Sequence, residues 1–149
     1  MSVFGDTSAL YPLLVRTEPA HAPARAAFSD LLESNRPIWT TSFVLVETMA
    51  LLQHRIGLSA ARDFDEDIVP ALRVHWVDED LYHRGLERLW REDRRRLSLV
   101  DCVGFEFMKL KGITTALAID PHFKEAGFDV LPAGISRPTT GTRNSNLKT

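Results

Sequence analysis

Apolar positions along this chain switch between strand and helix periods. Val3-Phe4 is a short apolar run that stops at Asp6, which predicts a buried strand. From Ala20 to Ser34 the apolar positions fall at helical spacing, with Phe28, Leu31 and Leu32 on one side. Pro37 to Thr40 predicts a second strand. Ser42 is a favoured N-cap type and predicts a helix running to about Ile56, closed by Gly57. Ser59 opens a further helix that Pro70 must end or kink. Val74 to Val77 predicts a third strand. Asp78 caps a long amphipathic helix to about Arg95, with Leu81, Leu86, Leu89 and Trp90 turned inward. Ser98 opens the next helix and Gly112 closes it. Thr114 to Ile119 predicts a fourth strand, Pro121 to Ala126 a helical turn, and Phe128 to Leu131 a fifth strand.

Strands separated by helices require crossover connections. The expected fold class is therefore α/β, with a mostly parallel sheet covered on both faces. In such sheets ligands sit outside the carboxyl ends of the strands. Trp39, Trp76 and Trp90 fall on periodic apolar positions and are expected in the core. One domain spans 1–135. The segment 136–149 is rich in Ser, Thr, Gly and Asn and predicts a disordered C-terminal tail, native or appended.

The chain has 149 residues, 44% apolar and 26% charged, enough for one continuous core. A single cysteine, Cys102, rules out an intramolecular disulfide and suits a reducing compartment. No secretory signal is expected at the start, and the most apolar window, Phe43 to Leu52, is interrupted by Glu47 and far short of the ~20 residues of a membrane span. These features predict a cytoplasmic protein with no membrane association. The net charge of −2 offers a polyanion no overall attraction, so any nucleic-acid contact must be local.

Four acids carry the candidate chemistry. Asp6 follows the first strand at once and could cap the helix that begins near Ser8. Asp101 stands in Ser98-Leu99-Val100-Asp101, close to a capping box. Asp120 precedes Pro121, the pattern of a helix start with Asp as cap. Each of these three has a local role that needs no active site. Glu47 does not. Its helical neighbours at three and four positions are Val44, Phe43, Ala50 and Leu51, all apolar. A carboxylate there must be paired, hold a cation or take up a proton. All four acids could meet at one edge of the sheet, where only a cation would relieve their repulsion. Hard oxygen ligands favour magnesium or manganese over zinc. The five histidines show no zinc spacing, and no glycine-rich phosphate loop is present.

Four segments, in this order and spacing, resemble the PIN-domain ribonucleases, in particular VapC-type toxins of bacterial type II toxin–antitoxin systems. They are Asp6-Thr7-Ser8-Ala9-Leu10, Val46-Glu47-Thr48, Leu97 to Cys102, and Asp120 to Phe128. The resemblance implies a three-layer α/β/α sandwich with a five-stranded sheet and an acidic pocket for one or two Mg2+ or Mn2+ ions. It implies Asp6 and Asp101 as core metal ligands, with Glu47 and Asp120 completing the catalytic set. It places Thr7, Ser8 and Ser98 where hydroxyls support the acids. The implied activity is metal-dependent endoribonuclease cleavage of transfer, ribosomal or messenger RNA. The implied partners are a second copy of the chain, in a homodimer, and a cognate VapB-like antitoxin. Exposed apolar helices of the N-terminal half are the expected dimer face.

Other readings belong to different classes. One is an RNA-processing PIN nuclease that is not a toxin. Another is an inactive PIN-like module that only binds partners. A phosphatase using Asp6 as nucleophile is a third, but haloacid-dehalogenase-like enzymes need an acid two residues on, where Ser8 stands. The basic run Arg91 to Arg96 is either a solvated helix end or a phosphate grip, which makes Arg94, Arg95 and His122 candidate RNA contacts.

Overall fold

The computed structural model describes residues 1–134. The expected tail, 136–149, and the last residue assigned to the domain lie outside the described residues. Five parallel strands form one sheet in the order β3-β2-β1-β4-β5. They are β1 (Val3–Gly5), β2 (Ile38–Thr41), β3 (Arg73–His75), β4 (Thr115–Leu117) and β5 (Asp129–Leu131). The helices are α1 (Thr7–Leu13), α2 (His21–Glu33), α3 (Ser42–Arg55), α4 (Leu58–Asp63), α5 (Glu79–Glu92), α6 (Leu99–Lys111) and α7 (His122–Glu125).

The strand order decides where the helices go. From β1 through β2 to β3 the chain moves one way along the sheet. From β3 it leaps back to β4 and on to β5. Right-handed crossovers then put α1 to α4 on one face and α5 to α7 on the other. The packing agrees: α1 lies against α2 and α3, and α6 against α5 and α7. This is the expected three-layer sandwich. It also fixes a switch point between the neighbouring strands β1 and β4, whose following helices leave for opposite faces.

The core sits on both sides of β1. Phe4 is fully buried and touches the rings of Phe107 at 5.9 Å and Phe123 at 5.7 Å, so one strand residue ties α6 and α7 to the sheet. Gly112, at φ 68°, closes α6 in the left-handed conformation that glycine adopts cheaply. On α5, Leu81, Gly85 and Arg88 form the buried face.

Several sequence expectations are corrected here. The cap of α3 is Thr41, not Ser42: Thr41 has the extended backbone a cap needs and accepts the Val44 N–H, whereas Ser42 is already helical and its hydroxyl accepts the Val77 N–H at 2.9 Å. Gly57, not Ser59, precedes α4. The chain then passes through a π-helical turn, Phe64–Ile68, and a 3-10 turn, Val69–Ala71, in which Pro70 is accommodated near the start. β3 pairs only from Arg73 to His75, so Trp76 lies beyond the ladder and is 69% exposed. Trp90 is 71% exposed. It stands two residues past buried Arg88, about 200° around the helix, and so faces away from the core. α5 stops at Glu92 because Asp93 takes the left-handed conformation at φ 45°. Trp39 is partly buried and packs on Phe107.

A Cβ at Gly85 would lie 2.4 Å from Val103 Cγ2 and 3.2 Å from the Val103 backbone. Gly85→Ala therefore forces α5 off α6. Urea denaturation should show a loss of about 1–3 kcal/mol despite alanine's better helix propensity. An unchanged midpoint would contradict this packing.

Candidate functional site

The carboxyl ends of β1 and β4 are joined by a small hydrogen-bonded hub. Asp6 follows β1 and its N–H donates to the Leu117 carbonyl of β4 at 3.0 Å. Its extended backbone makes it the cap of α1, and its Oδ2 accepts the Ser8 N–H at 3.1 Å. Ser8 Oγ donates to the same oxygen at 2.6 Å. That hydroxyl in turn accepts the backbone N–H groups of Ile119, at 2.9 Å, and Asp120, at 3.1 Å. One serine thus fixes the first acid and the loop bearing the last one. Asp120 is not at the cap position expected from sequence: α7 begins at His122, one residue later than expected, so that position falls on Pro121. The Asp120 side chain lines the cavity instead.

Asp101 arrives from the other side of the sheet, in the first turn of α6. The capping box is present: Ser98 Oγ accepts the Asp101 N–H at 3.0 Å, and Asp101 Oδ2 accepts the Ser98 N–H at 3.2 Å. The same residue lines the cavity described below. Glu47 comes from the middle of α3. Below it, Thr7 and Thr48 hydroxyls meet at 3.0 Å, and Thr48 donates to the Val44 carbonyl at 2.8 Å, which locks α1 to α3.

All four acids line one cavity of about 750 Å³. Thr7, Ser8, Ser98 and His122 line it too, as the sequence led one to expect, together with Arg96. Arg94 and Arg95 do not line it; Arg94 is bound to Glu125 at 2.7 Å on the surface. Sequence reading missed Tyr11, Leu51 and Arg55, which form part of the wall. A signal existed, since Leu51 and Arg55 stand four and eight residues after Glu47, on one helical face.

The electrostatics follow from burial and crowding. Asp6 is 4% exposed. Burial first, then the charge of Asp101, push its pKa up to about 7; the Ser8 hydrogen bonds oppose this, and Asp120 adds to it. Burial likewise raises Glu47, opposed by the Thr7 hydroxyl and reinforced by Asp101 and Asp120. Asp101 is raised by burial, against the Ser98 hydrogen bonds and the charge of His122. No arginine lowers any of the three. Carboxyls whose pKa values are raised by burial and by neighbouring acids are groups whose ionised form a cation would favour.

Among the described residues, no three His, Cys, Asp or Glu side chains already stand close enough to hold an ion by themselves. The donors are all oxygens, and magnesium keeps several waters while using one or two carboxylates. The residues present therefore fit a hard divalent cation. Cys102 is buried beside the site with its pKa pushed up to about 11, mainly by burial, which makes it an inert thiol.

The sequence matches the PIN domain family over residues 3–129. It is 35% identical over 128 residues to the 23S rRNA-specific endonuclease VapC20 of Mycobacterium tuberculosis, covering 85% of this chain and 95% of that protein. The crystal structure of M. tuberculosis VapC20, a sarcin-ricin loop cleaving toxin, aligns with a TM-score of 0.75 at 36% identity, over 85% of this chain and 96% of that one. FitAcB from Neisseria gonorrhoeae aligns with a TM-score of 0.63 at 15% identity, over 86% and 95%, a likeness of fold alone.

Two predictions follow from the hub and its charges. Ser8→Ala removes the acceptor of two amides and a donor to Asp6, so thermal or urea unfolding should register a loss of about 1–3 kcal/mol; an unaltered stability would remove Ser8 from this role. The folded state binds a proton at Asp6 up to about pH 7, whereas an unfolded Asp binds it only near pH 3.8. The stability contributed by that proton is full below about pH 4 and is lost as pH rises through 7. With chelator present, Asp6→Asn should gain on wild type by a few kcal/mol, in order of magnitude, between pH 5 and pH 8. Parallel pH profiles for the two proteins would contradict it.

Proposed function

The chain belongs to the PIN domain family, and from that premise we propose that it is a metal-dependent endoribonuclease, the toxin of a toxin–antitoxin pair. The observation that carries this is the meeting of four acids, from four distant segments, in one cavity at the switch point of a parallel sheet. The relative named as a 23S rRNA-specific endonuclease matches over almost its full length, which supports RNA, and ribosomal RNA first, as the substrate. It favours the toxin over an RNA-processing enzyme or an inactive module.

In this proposal Asp6 and Asp101 are the principal ligands of one or two Mg2+ or Mn2+ ions, and Glu47 and Asp120 complete the set. A bound divalent cation supplies charge neutralisation at phosphorus and acidifies water for in-line attack. The chain's own part is to hold these oxygens in place. Ser8 orients Asp6 and the Asp120 loop, and Ser98 orients Asp101. Asp6 gives up its proton as the cation is taken up. His122, in the same cavity, tempers the charge of Asp101 and faces the substrate.

The partners proposed are RNA, a second copy of the chain and a VapB-like antitoxin that covers the pocket. The expected place of action is the cytoplasm. Among the described residues no helix is long and apolar enough to cross a membrane. Val46, Ile56 and Leu58, exposed on α3 and at the start of α4, offer apolar surface for self-association.

Purified protein should cleave 23S rRNA, or an RNA carrying the sarcin-ricin loop, with Mg2+ or Mn2+ and not with chelator. Asp6→Asn and Asp101→Asn should each lower the cleavage rate at least about 100-fold, with near-native circular dichroism. Full activity in either variant, or in chelator, defeats the proposal.

A further inference from the structure

Two arginines, Arg55 and Arg96, line the acidic cavity. Arg55 ends α3, eight residues and about 12 Å along the helix from Glu47, too far for its backbone to deliver a close ion pair. Its guanidinium lies 5.6 Å from the centre of the Tyr11 ring, which holds it at the wall. Arg96 enters from the opposite side, two residues before the cap of α6. Both line the cavity that holds the four carboxylates. Among the described residues, the ion pairs of arginine are those of Arg88, with Glu92 and Glu106, and of Arg94, with Glu125. Arg55 and Arg96 belong to none of them.

Arg55 and Arg96 are exposed, whereas Asp6 is buried and Glu47, Asp101 and Asp120 are half-buried, so the cations form the outer part of the cavity and the anions the inner part. A phosphate chain suits this division. The bond to be cut goes to the floor, where a cation neutralises it, and the neighbouring phosphates need donors on either side. With a net charge of −2, the protein's attraction for RNA must come from local groups of this kind.

We propose that Arg55 and Arg96 bind the RNA phosphates flanking the cleaved bond, one on each side of the acidic cavity. The role rests on the nuclease function proposed above; it adds Arg55, which the sequence reading left out, and singles out Arg96 from the basic run Arg91 to Arg96. Arg94, neutralised by Glu125, is not part of the grip.

The test compares wild type with Arg55→Gln, Arg96→Gln, the double variant and Lys109→Gln, using an RNA stem-loop that wild type cleaves. Lys109 lies near the C-terminal end of α6, a helix about 20 Å long whose N-terminus carries Ser98 and Asp101. Each rim variant should raise KM roughly tenfold while kcat stays close to wild type. The dependence of log(kcat/KM) on log salt should become shallower by about 0.7–0.9 per arginine removed. Affinity for the same RNA by fluorescence anisotropy, in the Asp101→Asn background, should fall in parallel, and Lys109→Gln should change neither quantity. Unchanged KM and salt slope in the double variant overturn the proposal, even if wild type cleaves RNA. The rim would then face some other partner, such as an acidic protein segment. Absence of cleavage by wild type with every metal would instead refute the function on which it rests.

Discussion

The repulsion among buried carboxylates is the constraint around which this molecule is organised. Asp6, with 4% exposure, is pressed by Asp101 and Asp120 from two other elements, and Glu47 joins from a third. Such an arrangement destabilises the protein at neutral pH unless protons or cations compensate. The framework that brings them to one cavity is made of hydrogen bonds. The Ser8 hydroxyl is the centre of that framework, since it touches the first acid and both amides of the segment leading to the last.

The fold supplies the rest by topology. Because the chain leaves β1 toward one face and β4 toward the other, a crevice opens between two adjacent strands. Asp6 is one residue and Asp120 three residues past the regular pairing there. α6 crosses behind with Asp101 in its first turn, where its capping box also suits the helix dipole. α5 can follow α6 so closely only because Gly85 has no side chain. That contact lies on α6 two residues beyond Asp101.

The order of elements and the sheet were legible because the periods are clean and the breaks carry glycine, proline or caps. Glu47 was legible because its helical neighbours are all apolar. Asp6, Asp101 and Asp120 were ambiguous one by one, since capping explains an acid before a helix equally well. In the structure Asp6 caps α1 and Asp101 completes the capping box of α6, while the cap position of α7 falls on Pro121, one residue after Asp120. Trp76 and Trp90 were misread because aromatic residues at periodic positions look like core, whereas strand length and helix phase turn them outward. Arg55 was hidden for the opposite reason, since an arginine at the C-terminal end of a helix needs no explanation beyond the dipole. Arg96 was only one of a basic run, and the geometry is what brings it and Arg55 to the same cavity.

The central claim is that these acids are held together for a cation. It is met most directly by calorimetry of Mn2+ binding in buffers of differing ionisation enthalpy, which counts the protons released. A saturable site should release about one proton per ion at pH 6 and close to none at pH 8.5, as expected for an Asp6 that titrates near pH 7. No saturable binding, or binding at pH 6 without proton release, would contradict it.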